Sequence, residues 1–543
     1  MTFLWTLVAA LGLYYVLLSL QHVLRRRLLL AQTCVSDVDS LGHRSPAQKI
    51  KGTAVICGGS IAGLTAARVC HDHFEDVVII EPEAWLNSAD AMRSDSRNQE
   101  NKRSRVMQYE SFHILLTIGY TAMKKLFPNF IEECRSSAIR TGPNDTQVHL
   151  WGNGVKKPYD EYGGTLPKTI YTGRVALETL LRRLVLGGEY KNIRQITGTA
   201  TGVSRNASNP RFIEQVSIRA AEGAIVAIPA ALVIDCTGST TAGLKWLQRE
   251  GCGYAHTYSK IQRPLDGLKI AYDQKLRYST LQFSVPPELG RRLAGLPVPY
   301  DECGVIYCLI ADPERENRGV YSQRIDGDFV QICFSVTGGD GVELPANLEE
   351  AKTWTRSLIT EVPIPEEWFA MLDMLEEVQE SMTCSQVPFG PSTWIQYEKG
   401  VNLPSNWLAA GDSVMKVNPL HGHGCSKAMY GAICLNQLLQ TIQSSIPEDF
   451  SQKYFRMQAA KIEPLWSSTK VADYAFGSTE PVPGETRSEG ALLRWYMKRL
   501  MILSFTDARA GSAIWHFRVL LAPSIDLLQP RLVFKVLWSL IKP

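Results

Sequence analysis

The 543-residue sequence lacks the cysteine patterns that bind metals or build disulfide frameworks. Its 12 cysteines are scattered, and none forms a C-x-x-C pair or lies in a His/Cys cluster with metal-ligand spacing. We therefore predict no metal site and expect reduced, mostly buried thiols. A strong charge imbalance is also missing, because 57 Lys and Arg residues offset 54 Asp and Glu residues to a formal net charge of +3. No nucleic-acid partner is expected.

One long uncharged run is present, from Phe3 to Leu20, and three arginines come after it at 25–27. About 20 apolar residues can span a bilayer, and cationic residues on the C-terminal side of the run favour a cytosolic location for the rest of the chain. The sequence predicts a transmembrane anchor over residues 1–30, in the endoplasmic reticulum membrane, with the body facing the cytosol. An amphipathic or buried N-terminal helix is the alternative. Residues 31–49 are predicted to be a polar linker.

The most informative stretch predicts a dinucleotide-binding βαβ unit. An apolar run ending at Cys57 meets a glycine-rich turn and a helical pattern, and a second apolar run closes on Glu81 about 20 positions later. Gly58 permits the tight turn, Gly63 lets the helix pack closely on the strand, and the helix N-terminus offers N–H groups to a pyrophosphate. Glu81 can accept hydrogen bonds from a ribose diol. The turn has serine where the fingerprint has its middle glycine: Gly58-Gly59-Ser60-Ile61-Ala62-Gly63.

Three further segments offer candidate cofactor ligands. Arg105 and Gln108 precede a helical run and could contact a phosphate or a ring edge, or cap the run in solvent. Arg174, in the first turn of an amphipathic helix, indicates either a nearby ligand anion or a solvated side chain. Asp235 and Gly238 come directly after a buried parallel strand, at the edge where open α/β sheets bind ligands.

A second signature lies near residue 411. A strand ends at Gly411, a loop carries Pro419 and Gly422, and a long helix begins near Gly424. Asp412 is placed to bind a ribityl or ribose hydroxyl. The helix N-terminus would point partial positive charge at an electron-poor ring, and glycine lets a flat ring approach the backbone.

Together these segments resemble FAD-dependent monooxygenases of the para-hydroxybenzoate hydroxylase fold, in the branch that includes flavin halogenases, geranylgeranyl-reductase-like enzymes and epoxidases. The resemblance spans about residues 50–445, and the N-terminal run and the loop chemistry look like those of fungal secondary-metabolism members. It implies that Glu81 binds the adenosine ribose, Arg174 lies by the FAD and Asp412 binds the ribityl chain. Pro419 and the Gly422 to Gly424 loop would line the oxygen-reactive face of the isoalloxazine.

The resemblance implies a monooxygenase that hydroxylates or epoxidises a hydrophobic small molecule through O2 and a flavin C4a-hydroperoxide. NAD(P)H is the expected electron donor by analogy, and a separate reductase is an alternative, because the 235–238 segment lacks the Asp-Gly pair of aromatic hydroxylases. A flavin-dependent reductase or dehydrogenase, a halogenase, and a non-catalytic flavin-binding protein are competing classes. The absent W-x-W-x-I-P motif argues against a tryptophan halogenase.

Two histidines flank Gly422 in the second signature. His421 and His423 could tune protonation beside the flavin, since histidine titrates near neutral pH, or they could simply hydrogen-bond the loop. We therefore name Pro419, His421 and His423 as the candidate catalytic residues.

The implied architecture is α/β with an α+β insertion. A Rossmann-type FAD-binding domain is expected in two parts, residues 50–265 and 398–445. Alternating and β-branched segments predict a mostly antiparallel substrate-binding domain between them, at 266–397. Residues 446–543 are predicted to form a helical region that lies on a membrane, caps the active site or packs in the core.

Overall fold

The computed structural model describes residues 2–43, 49–339 and 341–541, without the side chains of 2–4, 6–11 and 13. Part of the predicted linker, residues 44–48, lies outside this description. The helices are α1 Thr2–Gln32, α2 Ile61–His73, α3 Thr117–Leu126, α4 Phe130–Ser136, α5 Arg174–Leu186, α6 Ala242–Arg249, α7 Pro287–Gly290, α8 Leu348–Arg356, α9 Glu366–Met374, α10 Gly424–Leu439, α11 Phe450–Asp473, α12 Ala491–Leu503, α13 Ala508–Arg518 and α14 Pro530–Trp538.

The strands of the described residues fall into five sheets. They are β1 Ile50–Cys57, β2 Phe74–Glu81, β3 Arg140–Pro143, β4 Val148–Leu150, β5 Asn153–Gly154, β6 Lys168–Tyr171, β7 Ile193–Thr197, β8 Thr199–Arg205, β9 Ile213–Arg219, β10 Ile225–Pro229, β11 Leu232–Asp235, β12 Lys269–Tyr272, β13 Leu276–Ser284, β14 Val305–Ile310, β15 Arg318–Arg324, β16 Phe329–Thr337, β17 Thr383–Phe389, β18 Ser392–Ile395, β19 Trp407–Ala409 and β20 Met415–Lys416.

A five-stranded parallel sheet, in the order β19-β11-β1-β2-β7, forms the first layer. Its central strands are apolar and buried on both faces, as parallel strands covered by helices are. Cys57 is in register with both Ile80 and Asp235, so β1, β2 and β11 end together. This common edge is where open α/β sheets bind ligands.

A seven-stranded sheet, in the order β17-β13-β16-β15-β14-β4-β5, forms the second layer. All its pairs are antiparallel except β14 with β4. Helices α8 and α9 cover one face with an apolar core that includes Trp354 and Trp368. The mixture of a parallel and an antiparallel sheet confirms the predicted α/β class with its inserted sheet. Strands β4 and β5 join this sheet from within residues 148–154, far before the predicted insert.

The N-terminal run forms α1, and the second half of this helix packs on the protein. Arg25 forms an ion pair with Asp526, with Nε and Oδ1 2.8 Å apart. Lys461 donates to the carbonyl oxygens of Leu30 and Thr33, at 3.1 and 2.6 Å. In the described part of the chain, no helix is long and apolar enough to cross a membrane. The prediction of a transmembrane anchor over residues 1–30, with an endoplasmic reticulum location and a cytosol-facing body, is therefore wrong.

Candidate functional site

A single cavity of about 1490 Å³ connects the edge of the parallel sheet with the C-terminal helices. Its volume exceeds the roughly 300–1,000 Å³ of an ordinary small-molecule pocket, so it has room for two ligands. All but two of the residues predicted from the sequence line it: Gly58, Gly59, Ser60, Glu81, Arg105, Gln108, Arg174, Gly238, Gly411, Asp412, Pro419, His421, Gly422, His423 and Gly424.

Gly63, one of the two exceptions, acts in the packing beneath the cavity. A Cβ at Gly63 would overlap the carbonyl oxygen of Gly58. Gly58 itself has φ of 119°, and a Cβ there would overlap the carbonyl oxygen of Cys236. The crossing of β1, α2 and the end of β11 therefore requires glycine at both positions.

Asp235, the other exception, is fully buried and accepts hydrogen bonds from groups of the protein itself. Its carboxylate accepts hydrogen bonds from Thr237 N (2.9 Å), Gly243 N (3.0 Å) and Ser413 Oγ (3.2 Å). Burial raises its pKa, and these hydrogen bonds lower it. Asp235 thus ties the end of β11 to the turn after β19, and its side chain does not face the cavity.

Glu81 ends β2 at the rim of the cavity. Its Oε2 accepts a hydrogen bond from Gly59 N at 3.0 Å, and its Oε1 accepts one from Glu83 N at 3.1 Å. Burial raises the pKa of Glu81, and the positive charge of Arg103 opposes this shift. The glycine turn and the acidic strand end are thus joined directly.

A buried charge cluster beside this turn was not predicted. The guanidinium of Arg103 forms ion pairs with Glu83 and Glu178, and its Nη2 lies 3.4 Å from Glu81 Oε2. Both Arg103 and Glu178 are buried. The sequence signal for Arg103 is weak, because it stands in a polar loop. Glu178 lies four positions after Arg174 on α5, which is a spacing typical of a helical ion pair.

Glu178 keeps its charge in spite of complete burial. Burial alone would raise its pKa, but Arg103, Arg174 and Arg182 together lower it to about 2. Arg182 also donates to the carbonyl oxygen of Gly59. The glycine turn is therefore hydrogen-bonded to a charge cluster in which the arginines stabilise the ionised form of Glu178.

Ser60, at the position of the missing glycine, connects the turn to this cluster. Its Oγ donates to Glu178 Oε2 at 3.0 Å and accepts from Arg174 Nη2 at 2.8 Å. Its side chain caps no N–H group of α2. The side chain therefore points to α5 and leaves the first N–H groups of α2 available to a ligand.

Replacing Ser60 with glycine is expected to destabilise the protein, although it restores the usual fingerprint. Loss of two hydrogen bonds to charged groups should cost about 2–4 kcal/mol, since each contributes about 1.5–3 kcal/mol and the effects overlap. Urea unfolding of Ser60→Gly measures this loss, and Ser208→Gly at an exposed position is the control. An unchanged free energy of unfolding for Ser60→Gly would show that the serine has no supporting role.

Arg105 and Gln108 differ in their surroundings. Arg105 is exposed, and its side chain makes no hydrogen bond or ion pair among the described residues. Gln108 donates from Nε2 to the hydroxyl of Tyr278 on β13, at 2.8 Å. Gln108 thereby connects the segment before α3 to the antiparallel sheet.

The loop of the second signature lies at the middle of the cavity. Asp412 is half exposed, and its Oδ1 lies 2.7 Å from Nζ of the buried Lys427. Lys427 also donates to the carbonyl oxygen of Met415. A Cβ at Gly424 would meet no atom within 4 Å, so the N-terminus of α10 faces open space. Lys427 was not predicted, although a cation in the first turn of a helix is an unusual placement.

The two histidines of this loop have different partners. His421 Nε2 lies 3.7 Å from Oδ1 of the buried Asp473, which also accepts hydrogen bonds from Asn418 and Tyr272. Within the described residues, His423 Nδ1 has no hydrogen-bond partner. Burial, His421 and Arg518 lower the pKa of His423 to about 3. His423 is therefore neutral near pH 7, and His421 is the histidine paired with a carboxylate.

Comparisons with known proteins identify the fold. No protein-family model matches this chain. Protein Rv3254 from Mycobacterium tuberculosis (strain ATCC 25618 / H37Rv) is 22% identical over 489 residues, which are 83% of this chain and 90% of that protein.

Among solved structures, the flavin-dependent brominase Bmp2 superposes with a TM-score of 0.54 and 11% identity, over 90% of this chain and 100% of that one. The p-nitrophenol 4-monooxygenase PnpA from Pseudomonas putida DLL-E4 superposes with a TM-score of 0.50 and 14% identity, over 88% and 99%. The chain has the flavin-dependent monooxygenase fold. This confirms the fold predicted from the resemblance.

In this monooxygenase fold, the inner face of the antiparallel sheet forms one wall of the cavity. Side chains of β13, β15, β16 and β17 supply an apolar surface that includes Tyr278, Tyr321, Cys333 and Val387. Phe112 and Leu420 pack against the same surface. The wall therefore suits an apolar ligand.

The C-terminal helices close the far end of the monooxygenase fold. We call this end the C-terminal chamber, and its lining residues come from β4, β14, α12 and α13: Val148, Leu150, Cys308, Ile310, Met497, Met501, Ile514 and Arg518. Most of these side chains are apolar. The chamber is therefore a mostly apolar part of the same cavity.

Proposed function

We propose that the protein is an FAD-dependent monooxygenase that inserts an oxygen atom into a hydrophobic small molecule. The observation that supports this proposal most directly is that the cavity is continuous. It joins the dinucleotide motif at Glu81, the loop of residues 411–424 and the apolar C-terminal chamber. A dinucleotide cofactor and an apolar substrate can therefore meet at the loop.

The residues present fit FAD. The glycine turn lets a pyrophosphate approach the N-terminus of α2, where N–H groups are free of side-chain caps. Glu81 and Asp412 would bind ribose and ribityl hydroxyls. Gly424 leaves space for a flat ring at the N-terminus of α10, whose dipole favours negative charge on that ring.

Bound FAD would supply O2 activation. The residues of the chain would limit the access of water, shape the site at the ring and move a proton. The apolar walls of the C-terminal chamber would limit the access of water to the reaction. Pro419 and the Gly422 to Gly424 segment would shape the ring face where oxygen reacts. His421, held beside Asp473, would move a proton at its Nε2. NAD(P)H is the proposed reductant, and a role in secondary metabolism is part of the same proposal.

A labelled-oxygen experiment tests the proposed function. The purified protein is loaded with FAD and incubated with ¹⁸O₂, NADPH or NADH, and a panel of terpenoids, prenylated aromatics and polyketides. We expect one ¹⁸O atom in the product and matching consumption of the reduced nicotinamide. Products reduced or halogenated without the label would overturn the oxygenase assignment and favour the other activities of the fold.

Replacing His421 with asparagine is expected to lower kcat by about 100-fold, which is a typical contribution of a positioned acid or base. FAD affinity should change by less than about twofold, because the asparagine keeps a polar side chain in the loop. His256→Asn, at an exposed position, is the control. An unchanged kcat and pH profile would assign His421 to loop structure alone.

A further inference from the structure

Arg518 is a cation in the C-terminal chamber that the proposed chemistry does not use. It ends α13 and lines the cavity. Its positive charge lowers the pKa of the Cys308 thiol, of the Tyr321 hydroxyl and of the His423 ring. All three residues also line the cavity. Arg518 therefore lies in the chamber, close to His423 of the loop.

The guanidinium of Arg518 has no partner in the described part of the chain, where it makes no hydrogen bond and no ion pair. Three other cations of the cavity wall are paired with carboxylates. Lys498 pairs with Asp312 and Glu314, Lys157 with Asp145, and Arg318 with Glu316. Burial lowers the pKa of Arg518. Arg518 is half-buried, and a partly buried charge without a protein partner carries a desolvation cost that a partner supplied by a ligand would relieve.

The chemistry around Arg518 defines the ligand that would supply this partner. Met501, Ile514 and Ile310 offer apolar contacts, whereas Arg518 offers a planar fork of N–H donors that matches a carboxylate. A free inorganic anion would use the fork but not the apolar walls. An apolar molecule without an acidic group would leave the guanidinium unpaired.

We infer that Arg518 anchors the substrate through an anionic oxygen group, so that the substrate is an apolar molecule with one acidic head, best matched by a carboxylate. This inference rests on the proposed function, because it takes the C-terminal chamber as the substrate site. The head would be held beside His423, and the apolar body would lie against α12 and α13. Arg518 would thereby fix which substrate carbon faces the loop of residues 419–424.

A binding experiment with matched probes tests the anchor without turnover. Full-length protein is titrated with 2-naphthoate, which is ionised near neutral pH, and with the neutral 2-naphthamide. Trp151 and Trp515 line the cavity, so quenching of their fluorescence reports binding with or without FAD. We expect the acid to bind at least about tenfold more tightly than the amide, as one hydrogen-bonded charge pair predicts.

Three variants and one competitor make the result specific. Arg518→Gln should remove the preference for the acid and leave amide affinity within about twofold, whereas Arg518→Lys should keep part of the preference. Arg509→Gln, at an exposed site at the start of the same helix, should match the wild type. A preference that survives in Arg518→Gln would overturn the anchor. Millimolar bromide could also displace naphthoate more strongly than an inert salt of the same ionic strength does. That result would assign Arg518 to a halide and would also overturn the anchor.

The test separates the anchor from the proposed function. Bound FAD without any preference for the acid would refute the anchor alone. A clear acid preference in a protein that binds no FAD would refute the proposed function and leave the anchor standing.

Discussion

Replacing Arg103 with methionine is expected to destabilise the protein by about 3–5 kcal/mol, which is the usual result of removing one partner from a buried ion pair. Three carboxylates, those of Glu81, Glu83 and Glu178, would lose their shared cation. The long apolar methionine side chain preserves much of the volume of the arginine. Urea unfolding at neutral pH measures the change in the free energy of unfolding.

The matched control is Arg135→Met. Arg135 pairs with Glu132 on the surface, where both side chains are about 70% exposed. An exposed ion pair contributes only about 0–1 kcal/mol, so this variant should be close to the wild type. Equal effects of the two substitutions would contradict the account of the buried cluster.

The same cluster predicts how stability depends on acid. The pKa of Glu178 in the folded protein is about 2, below its ordinary value of 4.5. Its contribution to stability is therefore complete above pH 4.5 and is lost as the pH falls from 4.5 towards 2. Glu81 has a raised pKa, so its contribution lowers the stability of the folded protein as the pH rises above 4.5. Arg103→Met should flatten the loss of stability between pH 4.5 and 2.

Replacing Gly63 with alanine is expected to abolish FAD binding and to destabilise the protein by about 2–3 kcal/mol, the upper part of the range for overpacking. The added Cβ would overlap the carbonyl oxygen of Gly58, which is backbone and cannot rotate away. The turn would have to move away from the N-terminus of α2. The flavin absorbance of the purified variant and its urea unfolding measure the two effects.

Gly202→Ala is the control for this change. Gly202 lies in β8, and a Cβ there would meet no atom within 4 Å. Its free energy of unfolding should stay within about 0.5 kcal/mol of the wild type, with full flavin content. Normal flavin content in Gly63→Ala would contradict the close crossing of β1 and α2.

The sequence is most informative where the chemistry is local. The turn from Gly58 to Gly63 needs its glycines for contacts between residues close in the chain, and Glu81 lies one βαβ unit later. The loop at Asp412 and the helix from Gly424 are local in the same way. Patterns of this kind predict the fold, and 15 of the 17 residues that they single out line the cavity.

Features that depend on packing between distant segments are not predicted. The pairing of Arg103 with Glu178 joins residues 75 positions apart. The two charges stabilise each other only when α5 packs against the loop that carries Arg103. Strand β4 joins the antiparallel sheet by parallel pairing with β14, which no alternation in a short segment reveals. Arg518 is one of several basic residues in the C-terminal region, and only the folded chain distinguishes it from the others.

The N-terminal helix shows why hydropathy misled the prediction. The apolar side chains of this run, such as Tyr15, Val16 and Leu20, are exposed, and the contacts that hold the second half of α1 are polar. The second half of α1 meets α11 and the segment after α13, where Lys461 and Asp526 bind it. A count of apolar residues does not register these polar contacts.

Equilibrium binding of FAD and FMN to the apoprotein tests the central claim that one cavity holds an extended dinucleotide from Glu81 to the loop of residues 411–424. FMN has the ring and the ribityl chain but lacks the adenosine that Glu81 would hold. We predict that FAD binds on the order of 100-fold more tightly than FMN, the effect of about two charge-assisted hydrogen bonds. Glu81→Ala should weaken FAD binding and leave FMN binding unchanged. Equal affinities for FAD and FMN, or no binding of FAD, would contradict the account.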